Sequence, residues 1–182
     1  MPIQYKKSHF MGLKSKCPHI TIYDDEDISE IVKELINTSE LAASIGDFKF
    51  LPIFPNLRML TILCGEFSQE GLKNLYRHKQ IEALNFDINY VSFKNDTEGI
   101  LDLNEFPSIR SVFTWEYNVV NLSDAKSLQT LGIDTVNIDL QYLSNLCNLD
   151  SLAVGGKRLQ SLAGIENMKL QCMCVDSSKK LA

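Results

Sequence analysis

The apolar residues between Leu140 and Val154 change their spacing part-way along the segment. Leucines first recur at every third position, and a valine then follows two residues after the last of them: Leu140, Leu143, Leu146, Leu149, Leu152 and Val154. A spacing of three is typical of a tight, 3₁₀-like or helical backbone with one apolar edge, and a spacing of two predicts a strand with one buried face. The pattern therefore predicts a single apolar ridge that enters a strand and stays on the same buried side.

The same change of spacing recurs along the chain, in six rows that begin at Phe48. The residue at which each row turns into its strand falls at Leu57, Ile81, Ile109, Leu128, Leu149 and Leu170, so that successive rows are 24, 28, 19, 21 and 21 residues apart. A repeat of this length predicts a solenoid. Every connection between strands is long enough to cross over, which predicts parallel pairing.

The strand segments have the form L-x-x-L-x-L and resemble the leucine-rich repeat family. The matching segments are Leu57–Ile62, Ile81–Phe86, Leu128–Ile133 and Leu149–Val154, and the resemblance covers about residues 48–176. It implies an α/β solenoid with a curved parallel sheet on its concave side and short helices or 3₁₀ turns outside. The family usually has Asn or Cys three residues after the last strand leucine. Only Asn89 stands there, so the repeats are irregular.

Two regions are expected. Residues 1–47 should form a loosely ordered arm, a short strand at His19–Tyr23 and a helical cap, and residues 48–182 should form the solenoid. The cap consists of a helix with one apolar face at Ile28–Ile36 and a second short helix from Ser39 to Ile45. Within the solenoid, Ser68–Arg77 predicts a true helix between two strands.

Charge and composition exclude some classes of partner. The net charge of −5 and the pI of about 5.2 do not favour duplex nucleic acid, which needs a basic face. No apolar run reaches the roughly 18 residues of a membrane-spanning helix, and the first residues have no apolar core of a secretory signal. The odd number of cysteines, five, favours reduced thiols in the cytoplasm.

The strand residues between the buried leucines should face the concave surface and be free to bind a partner. We expect the partner-binding residues to include Met59, Thr61, Asn85, Asp87, Thr130 and Asp134. The aromatic residues Phe113, Trp115 and Tyr117 would add a hot-spot patch, provided that Val112 and Thr114 point inward. In the alternative register, shifted by one residue, Phe113 and Trp115 would be core residues.

No motif for catalysis, a metal or a cofactor is present. There is no phosphate-binding loop, G-x-S-x-G or H-E-x-x-H, so we predict no catalytic residue and no cofactor. Cys172-x-Cys174 and Cys17-Pro18-His19 lie at opposite ends of a solenoid, too far apart for one zinc ion. His78 stands at a ridge position and is expected to be partly buried and hydrogen-bonded.

These observations favour a non-enzymatic binding module that recognises a protein partner through the concave face, of the adaptor, effector or toxin-neutralising type. The alternatives are an enzyme or enzyme subunit with a site on the concave rim, near Asp87, Asp134 and Trp115, and a structural repeat module that self-associates. We expect a monomer whose last strand is protected by Lys179 and Lys180, rather than a dimer through that strand.

Overall fold

The computed structural model of the chain describes residues 4–10, 13–21, 33, 35–44, 48–67, 69–86, 91–93, 100–115 and 119–176. The chain divides into two compact units, Met1–Gly99 and Ile100–Ala182. The predicted boundary at residue 47 stays a prediction.

The first unit is built on a sheet in the order β1-β2-β3-β4-β5, with β6 beside the second half of β4. Its strands are β1 (Gln4–Phe10), β2 (Leu13–Thr21), β3 (Glu40–Ser44), β4 (Met59–Phe67), β5 (Ala83–Phe86) and β6 (Val91–Phe93). All the pairings are parallel except that of β1 with β2. Helix α1 (Gln69–Tyr76) connects β4 to β5 and confirms the helix predicted there.

The second unit is a parallel sheet in the order β8-β10-β11-β12, with a separate pair of short strands, β7 and β9. The strand bounds are β7 (Leu101–Asp102), β8 (Ser111–Trp115), β9 (Val119–Val120), β10 (Thr130–Asp134), β11 (Ser151–Gly155) and β12 (Cys172–Asp176). Equivalent residues of neighbouring rows lie in register: Leu131 pairs with Val112 and with Leu152. The parallel sheet predicted from the row spacing is therefore confirmed within this unit.

The segments with a spacing of three form single 3₁₀ turns that precede the strands. They lie at Leu51–Ile53, Leu103–Glu105, Leu122–Asp124 and Gln141–Leu143. In the row that starts at Leu140, every ridge leucine is at most 1% exposed, because a turn of about three residues returns each of them to the same edge. The ridge therefore fills the core between the sheet and the turns, as its spacing predicts.

Neighbouring rows are joined by a recurring backbone contact. The carbonyl oxygen just before one strand accepts two successive N–H groups at the start of the strand in the next row. The Gln129 carbonyl, for example, accepts from Asp150 N at 2.9 Å and from Ser151 N at 3.0 Å. The same double contact is made by the carbonyl oxygens of Ser39, Arg58, Arg110 and Asp150. This paired acceptance fixes the register of one row on the next.

Two expectations for the amino-terminal region are wrong. Residues 4–10 and 13–21 are paired antiparallel strands, with Gln4 opposite His19 and Phe10 opposite Leu13, instead of a loosely ordered arm that ends before a strand at His19. The segment predicted as a helix from Ser39 to Ile45 is strand β3, paired with β4 through Leu41–Leu60.

The physical reason for β3 is that an additional row precedes Phe48. Thr38 N donates to the Leu35 carbonyl oxygen, as Leu57 N does to that of Phe54, so the turn before β3 has the geometry of a row. Leu41 and Ala43 then occupy the core positions of its strand, each 0% exposed. Of the helix predicted at Ile28–Ile36, only residues 33, 35 and 36 are described.

Candidate binding surface

The strands of the second unit bury one face and leave the other open. The core-facing residues Val112, Thr114, Leu131, Ile133, Leu152 and Val154 are all buried. Most of the residues that alternate with them are half-buried or exposed, whereas Gly132 is buried. The accessible side chains form what we call the open face: Ser111, Phe113, Thr130, Asp134, Ser151 and Ala153. The register in which Val112 and Thr114 point inward is therefore confirmed, and the alternative that places Phe113 in the core is wrong.

The ring of Phe113 lies over the backbone of the neighbouring strand at Gly132. The two residues are register partners in β8 and β10. A Cβ atom added to Gly132 would lie 2.1 Å from Cδ1 of Phe113, well inside van der Waals contact. Because glycine has no side chain, the ring rests flat on β10 and stays only half-buried.

Two carboxylates flank a second glycine at the end of the same strands. Asp134, Gly155 and Asp176 are in register on β10, β11 and β12, and both aspartates are exposed. Asp134 Oδ1 would lie 3.1 Å from a Cβ at Gly155, so this carboxylate leans towards the glycine. The open face thus combines an aromatic ring, small residues and a pair of negative charges.

Of the other two aromatic residues in the predicted patch, the structure describes the backbone of Trp115 and not Tyr117. The backbone of Trp115 lies in β8 and pairs with Asp134. Exposure of the Trp115 side chain stays a prediction. Tyr117 lies outside the described residues, so the structure joins only Phe113, Thr130 and Asp134 on one face.

The predicted binding residues of the first unit are more enclosed. Met59 and Asn85 are half-buried, but Thr61 is only 8% exposed, which leaves little of it for a partner. Its register partner on β3, Ala42, is 3% exposed, and its register partner on β5 is the half-buried Asn85. Thr61 is thus a buried residue instead of the accessible contact that the alternation predicts. Asp87 lies outside the described residues.

His78 is a buried ridge residue, as predicted. It is 5% exposed, and its Nδ1 lies 3.1 Å from Nε2 of Gln80, which also donates to the Pro55 carbonyl oxygen at 3.2 Å. Burial lowers the pKa of His78 below its ordinary value of 6.5, because the charged form loses water. A neutral ring whose Nδ1 accepts from Gln80 fits this setting.

Polar residues that the apolar pattern does not reveal begin the turns of the second unit. Each has a side-chain oxygen that accepts from the N–H two residues later: Asp102 Oδ1 from Asn104 at 2.9 Å, Asp139 Oδ1 from Gln141 at 3.2 Å and Ser161 Oγ from Ala163 at 3.1 Å. Asn121, at the corresponding place, donates from Nδ2 to Asp102 Oδ1 at 2.8 Å. Asp, Asn or Ser directly before a leucine is the sequence signal for these caps.

The described thiols do not form a metal site. Cys147, Cys172 and Cys174 are free and exposed, and no group of three or more His, Cys, Asp or Glu residues suited to a metal occurs in the part of the chain that the structure describes. In the same part, no helix has the length and apolar character to cross a bilayer. The open face presents an aromatic ring, hydroxyl groups and carboxylates.

Comparison with known proteins supports the leucine-rich-repeat-like fold but does not assign the chain to a family. No protein-family model and no curated protein matches the sequence. Among 24 solved chains that match the structure is an internalin (inlF) from Listeria monocytogenes, a leucine-rich repeat protein. The two structures have a TM-score of 0.51 at 11% sequence identity, over 85% of this chain and 52% of the internalin. The chain has a leucine-rich-repeat-like fold. It spans about half the length of that internalin chain.

Proposed function

We propose that the protein is a non-enzymatic binding module and that the open face of the second unit recognises a protein partner. The observation that carries this proposal is that the core-facing residues of its strands are buried, whereas most of the residues between them are not. Leu131 and Leu152 are 0% exposed, whereas Thr130 and Ser151 beside them remain accessible. Side chains on this face have no part in the core, so they are available for contact without loss of the fold.

Phe113 supports a partner that offers an apolar surface. A half-buried aromatic ring held against a neighbouring strand loses little conformational entropy on binding, which is a property of residues that dominate interface energies. The small side chain of Ala153, on the strand beyond Gly132, lets a partner approach the sheet closely. The carboxylates of Asp134 and Asp176 favour a basic group at the edge of the same contact.

The free, exposed thiols suit the cytoplasm as the proposed compartment, since a reducing environment keeps such cysteines unpaired. An adaptor, an effector or a toxin-neutralising protein would bind its partner through such a contact face, and the proposal includes all three types. The likeness to the internalin concerns the fold and adds nothing about the partner's identity.

Affinity capture with matched variants tests the proposal. The full chain is immobilised and exposed to a lysate of its native cell, beside Phe113→Ala and Asp134→Arg on the open face. Lys126→Glu and Asn145→Ala, exposed positions on the turns, are the controls. We expect one stoichiometric protein that both open-face variants lose and both controls retain, while circular dichroism shows that all four variants are folded.

Two results would contradict the proposal. One is a partner that the turn variants lose and the open-face variants keep, which would place the contact on the other side of the unit. The other is turnover of a small metabolite by the purified protein, abolished by Asp134→Asn, which would favour an enzyme with a site near that carboxylate.

A further inference from the structure

Strand β12 (Cys172–Asp176) has a neighbour on one side only within the described residues. It pairs with β11, and no described strand lies along its other edge. The row that contains it is also poorly covered. Met173 is 36% exposed although its register partner Leu152 is 0% exposed, and Val175 is half-buried where its partner Val154 is 2% exposed.

The hydrogen bonds to β11 show which groups of β12 remain available. Cys172 N donates to the Asp150 carbonyl oxygen at 3.1 Å, and the Asp176 carbonyl accepts from Gly156 N at 3.1 Å. Successive residues of a strand direct their N–H and C=O groups to opposite edges. The N–H and C=O groups of Met173 and Val175 therefore point away from β11, into the open edge.

We propose that β12 pairs with β12 of a second copy of this chain, antiparallel and about a two-fold axis at Cys174. In that register Met173 of one copy lies opposite Val175 of the other. Their outward N–H and C=O groups exchange hydrogen bonds in both directions, on either side of the axis. The edge of one copy thus supplies the donors and acceptors that the edge of the other needs.

The faces of the sheet favour this arrangement over a parallel one. A two-fold axis perpendicular to the sheet keeps the core side of both copies on the same side, so that Met173 and Val175 of the two chains bury one another. A two-fold axis along the strand would instead place the core side of one copy beside the exposed thiols of the other. Covering apolar side chains while satisfying the strand edge is the usual gain of such pairing. The exposed last row thus favours the dimer over the monomer that the sequence predicts.

Disulfide formation by the two cysteines of β12 would reveal the register in which the two copies of the strand pair. At the axis, the two Cys174 residues form a non-hydrogen-bonded pair with Cα atoms about 4.5 Å apart, which is within the range for a disulfide. Cys172 lies opposite Asp176 of the second copy. The two Cys172 residues are four positions apart along the strands, roughly 14 Å, and cannot be joined.

Sedimentation under reducing conditions, followed by cross-linking, tests the proposal on the full chain. We expect a concentration-dependent dimer that Val175→Pro dissociates and Val175→Thr retains. Proline removes an N–H that points away from β11, so the pairing with β11 survives and the circular dichroism spectrum should not change. Diamide, which takes two electrons and two protons from a pair of thiols, should give a covalent dimer in the wild type and in Cys172→Ser, but not in Cys174→Ser.

A wild-type protein that stays monomeric at all concentrations would overturn the proposal. A dimer that Val175→Pro does not affect, or whose cross-link depends on Cys172, would also overturn it, since either result places the contact elsewhere. These outcomes are independent of partner capture by the open face. A monomer that still captures its partner through Phe113 leaves the proposed function intact.

Discussion

Phe113 and Gly132 form a complementary pair across two strands, in which the missing side chain of one makes room for the ring of the other. Substitution of the glycine should therefore act through the phenylalanine. In the wild type, Gly132→Ala must displace the ring. In a Phe113→Ala background the three ring atoms nearest to the new Cβ are gone, and alanine is favoured over glycine within a strand by roughly 0.5–1 kcal/mol.

A double-mutant cycle measures this coupling. We expect Gly132→Ala to destabilise the wild type or leave it unchanged, and to stabilise Phe113→Ala, with a coupling energy of about 0.5–3 kcal/mol from chemical denaturation. Ala153→Gly in both backgrounds is the control, and additive effects are expected there. Additivity at Gly132 would mean that Phe113 does not rest on β10 in solution.

Truncation of the ridge tests the repeat architecture. Leu131→Ala and Leu152→Ala should each lower the free energy of unfolding by about 2–5 kcal/mol, because both side chains are 0% exposed. Lys126→Ala, at an exposed position of a turn, should change it by less than about 0.5 kcal/mol. Equal shifts in melting temperature for all three would contradict the assignment of these leucines to the core.

Thr114 should be a position at which a single substitution stabilises the protein. Its side chain is 2% exposed, and its Oγ1 has no hydrogen-bond partner among the described residues. A buried hydroxyl without a partner costs about 1–3 kcal/mol, and valine has nearly the same shape. Thr114→Val should therefore raise the free energy of unfolding by about 1 kcal/mol or more, whereas Thr130→Val, on the open face, should leave it nearly unchanged. A loss of stability in Thr114→Val would indicate that the hydroxyl is satisfied.

His78 should make stability depend on pH. Burial lowers its pKa in the folded state, so the unfolded chain binds a proton more readily. The stabilisation by the neutral ring is complete above the unfolded pKa of about 6.5 and is lost as the pH falls below it, by up to about 1.4 kcal/mol per pH unit. His78→Phe, which restores the residue type of Phe54 and Phe106, should flatten this slope between about pH 5 and 7. Parallel pH profiles for the two proteins would exclude a buried neutral histidine.

Trp115 is the single tryptophan of the chain, so its fluorescence reports one position. An exposed side chain predicts a red-shifted emission that a soluble quencher reaches, and Trp115→Ala should then abolish capture of the partner with little change in melting temperature. A blue-shifted, protected emission would place the indole in the core, where its truncation costs about 3–5 kcal/mol.

The spacing of apolar residues was sufficient to predict the regular rows but not the irregular one. Strands β10 and β11 follow the pattern closely, because leucine, isoleucine and valine occupy their core positions. The row before β3 has Thr38 in place of the ridge leucine and Ala43 in place of the second strand residue. With two of its apolar signals missing, a run of good helix formers predicted a helix there, and pairing with β4 overrode that local preference.

Polar contacts were harder to predict from the sequence. The side chain of Thr135 is 3% exposed and accepts hydrogen bonds from Asn137 N at 3.1 Å and from Tyr142 Oη at 3.2 Å, which a spacing of apolar residues cannot reveal. The enclosure of Thr61 was missed for a related reason. Alternation along a strand gives the face of a residue, but not how closely its neighbours cover it.

The paired hydrogen bonds that join one row to the next are made by main-chain atoms, and the residues that supply the carbonyl oxygens are Ser39, Arg58, Arg110, Gln129 and Asp150. The side chains of these five are all polar but differ in charge and size: a hydroxyl, two guanidinium groups, an amide and a carboxylate. This backbone contact therefore does not require a particular amino acid at these positions. A row can change in sequence, gain or lose residues in its outer segment, or arise by duplication of its neighbour without loss of the contact. The part of this architecture that the rows share is a backbone contact, and such a contact is compatible with rows that are 19 to 28 residues apart in one chain.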